Sequence, residues 1–195
     1  MGIRAHSGWG AAAAVSFNVG SIDVIDRRRV GIVDPETPGA AQPYHFAEKL
    51  ALPEAEKHLA RCAAVSNRLA LAAVSQMVQE LRARGYRISG AAIVLASGRP
   101  LPALPQILAS HALIHAAEGE FFRQAFRSAF ERLEIQVTGI PERQLEARAK
   151  NVFATGARQV QQRIANAGRQ LGPPWTTDQK TAALAAALVL KTLKA

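Results

Sequence analysis

The chain has 195 residues, of which 49% are hydrophobic and 20% charged, with 24 basic and 15 acidic side chains for a formal net charge of +9. That length suits one domain over 1–195, with a core large enough to need no disulfide or metal staple. The single cysteine, Cys62, excludes a disulfide framework and any cysteine-based zinc site.

The positive charge is spread along the chain. Residues 1–100 carry 12 basic and 8 acidic side chains, and residues 101–195 carry 12 and 7. A diffuse excess favours solubility and weak affinity for polyanions. The aromatics are not interleaved with the cations as a base-stacking platform requires. No apolar run approaches the roughly 20 residues that span a membrane. Ala11 to Phe17 lacks the flanks of a signal peptide, so the expected location is cytoplasmic and no membrane partner is expected.

Residues 2–6 predict a short strand, Ser7-Gly8-Trp9-Gly10 a turn, and residues 11–18 a second strand despite four alanines. A third, bent strand spans 22–26 and 30–33 around Arg27-Arg28-Arg29, and Asp34-Pro35 stops it. Residues 35–52 predict a loop, with Pro43-Tyr44-His45 inside it. Helical spacing of Leu59, Cys62, Ser66, Leu69, Ala73, Met77 and Leu81 predicts a long helix over 54–84. Cys62 falls on its apolar stripe, as a buried thiol does. The apolar run 91–96 predicts a strand buried on both faces.

A second helix is predicted over 104–133 and a strand over 135–138. Pro141 stands where a helix would open. Further helices are predicted over 152–171 and 178–194, separated by Gly172-Pro173-Pro174, with Thr176 and Gln179 as a capping box. The fold class expected is therefore α/β, a mixed sheet with flanking helices in the order three strands, helix, strand, helix, strand, helices.

That order resembles the ribonuclease H-like superfamily, in particular its resolvase-like branch. The residues in question are Ile3 to His6, the turn Ser7 to Gly10, Ala11 to Val15, the buried strand 91–96 and the Ala-rich stretch Thr181 to Leu188. Active members hold two metal ions with carboxylates on the first strand, the central strand and the last helix. This chain is degenerate at those acids. Residues 1–22 contain none, His6 is nearest the first position, Ser97 ends the central strand, and the last helix offers Asp178 only at its start. The resemblance therefore implies a non-catalytic or atypical domain that binds nucleic acid or a protein partner, without two-metal nuclease chemistry. The segments His111 to Arg123, Pro43-Tyr44-His45 and Trp175 to Leu188 also resemble an uncharacterised family of bacterial proteins, a likeness that implies no function.

His111, His115 and Glu118 fall within one narrow arc of the second helix, together with Ile107, Phe122, Phe126 and Ala129. The face that carries them should be buried, and buried polar groups need partners. Three readings stand: an internal hydrogen-bonded network, a functional pocket, and a metal site whose fourth ligand is unidentified. The second reading makes the chain an enzyme with a pocket of His6, Ser7, His45, His111, His115 and Glu118; Ser7 could then be a nucleophile with His45 or His111 as its base, but without a Gly-x-Ser-x-Gly elbow an ordinary turn is the better reading of Ser7. Arg28, Ser97, Arg99 and Arg123 are the candidates for binding an anionic ligand, since arginine grips phosphate and carboxylate in two-pronged fashion, although Asp23, Asp26 and Asp34 favour internal pairing of Arg28 and a plain turn accounts equally for Ser97 and Arg99. A third functional reading is a structural protein that forms homo-oligomers through its Ala-rich helices. No dinucleotide or phosphate-loop glycine motif occurs, and no cofactor is implied.

Overall fold

Five strands form one mixed sheet in the order β3-β2-β1-β4-β5. The computed structural model describes residues 1–18, 21–96 and 100–193. Strands β1 (Gly2–His6), β2 (Trp9–Asn18) and β3 (Ser21–Gly31) are antiparallel neighbours. Strand β4 (Ala91–Leu95) runs parallel to β1, and β5 (Val137–Pro141) parallel to β4. Helices α1 (Pro43–Ala47) and α2 (Leu52–Ala83) join β3 to β4, and α3 (Leu104–Leu108) and α4 (His111–Arg132) join β4 to β5. After β5 come α5 (Leu145–Phe153), α6 (Ala157–Asn166), α7 (Gly168–Leu171) and α8 (Thr177–Thr192).

The period-2 alternation of a strand sorts side chains between two cores. Ile3, Ala12, Ala14 and Ile93 meet Val74, Met77 and Leu81 of α2 and Phe122, Phe126 and Phe130 of α4. Ala13, Val15, Ala92 and Val94 face the other way, toward α5, α6 and α8. The alanines that make β2 a weak strand on propensity are there because both faces are covered. Small side chains let helices come close. Gly2 lies directly against the backbone of α8, where a Cβ would sit 2.0 Å from the Ala182 carbonyl oxygen. Gly10 is covered by the Phe126 ring, which a Cβ would meet at 2.7 Å.

Helix α8 is buried without a break from Ala182 to Val189. Its start is fixed by the expected capping box: Gln179 Oε1 accepts from the Thr176 backbone N–H at 2.9 Å, and the Thr176 hydroxyl accepts from Asp178 N–H at 3.3 Å. The Ala-rich surface proposed for self-association is thus consumed inside the chain, where Ala182, Ala183, Ala185, Ala186 and Ala187 are fully buried.

Strand β3 is a sheet edge. Its register on β2 shifts between Ala14 and Val15, leaving Ile25 without a partner between Val24 and Asp26. The arginines beside this bulge are engaged within the chain. Arg27 donates to the carbonyls of Leu171, Gly172 and Pro173 at 2.9, 3.1 and 2.7 Å. Arg28 pairs with Asp26 at 2.6 Å and with Glu80 of α2 at 2.5 Å. Burial works against the Arg28 charge, but the two carboxylates prevail and raise its pKa. Arg29 lies over the Trp9 ring at 3.7 Å.

The connections depart from expectation at four places. Residues 43–47 of the predicted loop form α1. The helix predicted over 104–133 breaks after α3, because Ser110 is extended (φ −140°, ψ 112°) before α4 begins. Pro141 ends β5 rather than opening a helix, and a short 3-10 turn at Glu142–Gln144 intervenes before α5. The helix predicted over 152–171 is two separate pieces, α6 and α7, its first two residues belonging to the end of α5.

Candidate functional site

Two polar clusters occupy different parts of the fold. One joins α1 to the N-terminal half of α4. Residues His111, His115 and Glu118 are spaced four and three apart, so they follow one side of α4. The structure corrects the expected burial: only Glu118 is enclosed, at 3% exposure, while His111 and His115 are exposed. The reason is what this half of α4 packs on. Ile114 and Ala117 form a small cluster with Ile107 of α3 and Tyr44 of α1, whereas Phe122, Phe126 and Phe130 lie on the sheet. The histidines border the small cluster instead of entering a core.

His45 completes the group. Its ring centroid lies 5.3 Å from that of His111 and 4.7 Å from that of His115, at steep angles of 78° and 66°. The His111 and His115 rings are 4.5 Å apart at 82°, with their Nε2 atoms at 3.0 Å. One ring nitrogen from each of the three lies within 4.8 Å of the others. Imidazole nitrogens gathered this closely suit a borderline metal ion, or a proton shared between two rings.

Glu118 stands behind His45. Its Oε1 lies 2.9 Å from His45 Nδ1 and accepts the His45 backbone N–H at 3.2 Å. The Nδ1 approach is close but misaligned for a hydrogen bond. Helix α1 has no side-chain cap of its own. The His45 N–H is one of its unpaired first-turn donors, and Glu118 of α4 supplies the missing acceptor. Burial and the Glu118 charge together push the Tyr44 phenol above its ordinary pKa.

Helix α1 is held from both sides. Tyr44 meets Phe121 of α4 edge-on at 6.2 Å, and Phe46 stacks on His58 of α2 at 4.5 Å. Gly39, at φ +72°, leaves room for Phe46, which a Cβ there would strike at 2.4 Å. His45 therefore rides on a braced turn. Cys62 Sγ contacts His58 Nε2 at 3.5 Å, and burial raises the thiol pKa, as expected of an inert core thiol.

The second cluster lies at the carboxyl ends of β1 and β5. Arg4 bonds Asp178 at the start of α8 and Glu142 beyond β5, the latter at 2.9 Å. His6 Nε2 sits 3.1 Å from Asp178 Oδ1, again off hydrogen-bond alignment, and its ring stacks on Trp9 at 4.3 Å. Trp9 is thereby sandwiched between His6 and Arg29.

The six residues expected to share one pocket are divided. His45, His111, His115 and Glu118 come together. His6 belongs to the Arg4–Asp178 group. Ser7 is on an exposed turn, lining a cleft of about 450 Å³ with Asp34, Pro38 and Gln42, and none of the histidines lines it. Arg28 is taken up by Asp26 and Glu80. Arg123 folds over Gly119 and donates to Glu120 at 3.0 Å. Ser97 and Arg99 lie outside the described residues. The pairing of Arg4 with Asp178 and Glu142 has no signal in sequence spacing, because it depends on strand order.

Comparison of the chain with protein-family models, with curated proteins and with solved structures gives no match. Among the described residues, no helix is long and apolar enough to cross a membrane.

Proposed function

We propose that the chain is a ribonuclease H-like domain that binds nucleic acid and lacks two-metal cleavage chemistry. Support for the kinship comes from the element order on one mixed sheet and from the buried Ala-rich last helix. Against cleavage stands Arg4. Its guanidinium already pairs with Asp178 and Glu142, the carboxylates at the strand ends where ligands of open α/β sheets bind. A guanidinium held on those oxygens competes with any metal ion for them.

The observation that carries the binding reading is the charge of the α5–α7 layer. Arg143, Arg148, Lys150, Arg158, Arg163 and Arg169 are all exposed, against Glu142 and Glu146 and against Asp23 of β3, 3.8 Å from Arg163. Cations on one layer attract phosphates and release counterions on binding.

Fluorescence anisotropy with labelled duplex DNA and single-stranded RNA tests this. With about four phosphate contacts, Kd rises roughly 100-fold between about 50 and about 200 mM salt. Arg158→Glu together with Arg169→Glu weakens binding to both probes. Absence of binding at the lower salt, or binding indifferent to the charge reversals, overturns the proposal.

A further inference from the structure

We propose that His45, His111 and His115 bind one divalent transition-metal ion of the zinc class, with an open coordination position facing solvent and Glu118 as the carboxylate that orients His45.

Four observations meet here. The donors are three imidazoles from two elements, each contributing a nitrogen within 4.8 Å of the others. Zinc in a tetrahedral site holds nitrogens at about 2.0–2.1 Å, which sets them roughly 3.4 Å apart. His111 and His115 are already inside that spacing at 3.0 Å, and both are exposed and free to open slightly around an ion. The three rings meet edge to face and are not stacked, so no ring lies flat over the nitrogens of another.

The third observation is the carboxylate. Metal-bound histidines regularly have their second nitrogen held by a carboxylate, which sets ring orientation and raises basicity. Glu118 Oε1 stands 2.9 Å from His45 Nδ1, leaving Nε2 for the ion. A carboxylate at 3% exposure is costly to bury, and its charge offsets part of a divalent ion's charge. The fourth is access. The chain brings three ligands and leaves the outer side to water, as centres with a working coordination position do. Magnesium and calcium are disfavoured, because they require oxygen ligands.

The test uses the full chain, stripped with a chelator and dialysed, then titrated with zinc by calorimetry and with cobalt by visible absorption. One equivalent of each ion binds, and cobalt develops the intense visible bands of four- or five-coordination. His115→Ala and His111→Ala, at exposed positions, each lower affinity at least about 100-fold with unchanged far-ultraviolet circular dichroism. His45→Ala has the same effect on affinity. Glu118→Gln lowers it about 10- to 100-fold while keeping one equivalent bound. Lack of saturable binding overturns the proposal. So does wild-type affinity in folded His45→Ala, which would reduce the site to a surface His pair. None of these outcomes depends on nucleic-acid binding.

Discussion

Replacing Gly2 by alanine tests the claim that α8 sits directly on β1. The added Cβ would lie 2.0 Å from the Ala182 carbonyl oxygen and 3.0 Å from Ala186 N, where ordinary contact begins near 3.4 Å. The gap is short by about 1.4 Å, and backbone lines it on both sides, so no side chain can swing away. Either α8 lifts or β1 bends, and both movements loosen the core of Ala13, Ala92, Ala183 and Leu188. Overpacking costs about 1–3 kcal/mol in cores that relax, and this site belongs at or above the upper end. At about 3 kcal/mol, a chain of this size loses roughly 6–12 °C in Tm. Gly31→Ala is the control, since nothing lies within 4 Å of its Cβ. Urea unfolding followed by circular dichroism compares the two variants with the parent at equal m-value. A Gly2→Ala loss within about 0.5 kcal/mol of the control would refute the close contact.

Gly119→Ala should stabilise the chain by about 0.5–1 kcal/mol, because helix propensity improves and the new methyl meets only the movable end of Arg123; thermal unfolding reads it, and a clear loss would mean that Arg123 cannot move. The Cys62 thiol should resist alkylation by iodoacetamide in the folded chain and react promptly in denaturant, since burial raises its pKa; equal rates in both states would contradict its enclosure. Tyr44 is an acid whose folded pKa is raised above 10, so above about pH 10 the unfolded chain sheds the proton first and stability falls as pH rises. Tyr44→Phe should remove part of that alkaline loss in urea titrations, and an unchanged pH profile would show the phenol to be solvated.

The strands and the two longest helices were legible because their signals are local. The turn residues Ser7-Gly8 and the stop at Asp34-Pro35 bracket β1 to β3, the run Ala91 to Leu95 marks β4, and Thr176 with Gln179 marks the start of α8. Periodicity could not show the break at Ser110, because Ile107 and Ile114 lie in the same small cluster and the apolar stripe passes through the break. The same spacing placed His111 and His115 correctly on one side of α4 but not at its margin, since a wheel does not say where the sheet ends. His45 was a candidate on its own, yet its place beside His111 depends on α1, a single helical turn in a proline-rich segment. Glu118 read as a ligand because its spacing fits; its contact with His45 Nδ1 assigns it to the layer behind. Pro141 misled because a proline suits both a helix start and the end of an edge strand.

The charged, bulged edge of β3 has a consequence for life in a crowded solution. An eleven-residue edge strand is long enough to template a neighbour and seed a growing fibre. Here Asp23, Asp26 and the three arginines line the strand with charged groups already engaged within the chain, and the misfit at Ile25 breaks the even spacing such docking requires. The opposite edge is β5, five residues long and closed by Pro141, which has no N–H to offer. Both margins of the sheet therefore resist continuous extension by another strand, and the chain can expose them without recruiting copies of itself edge to edge.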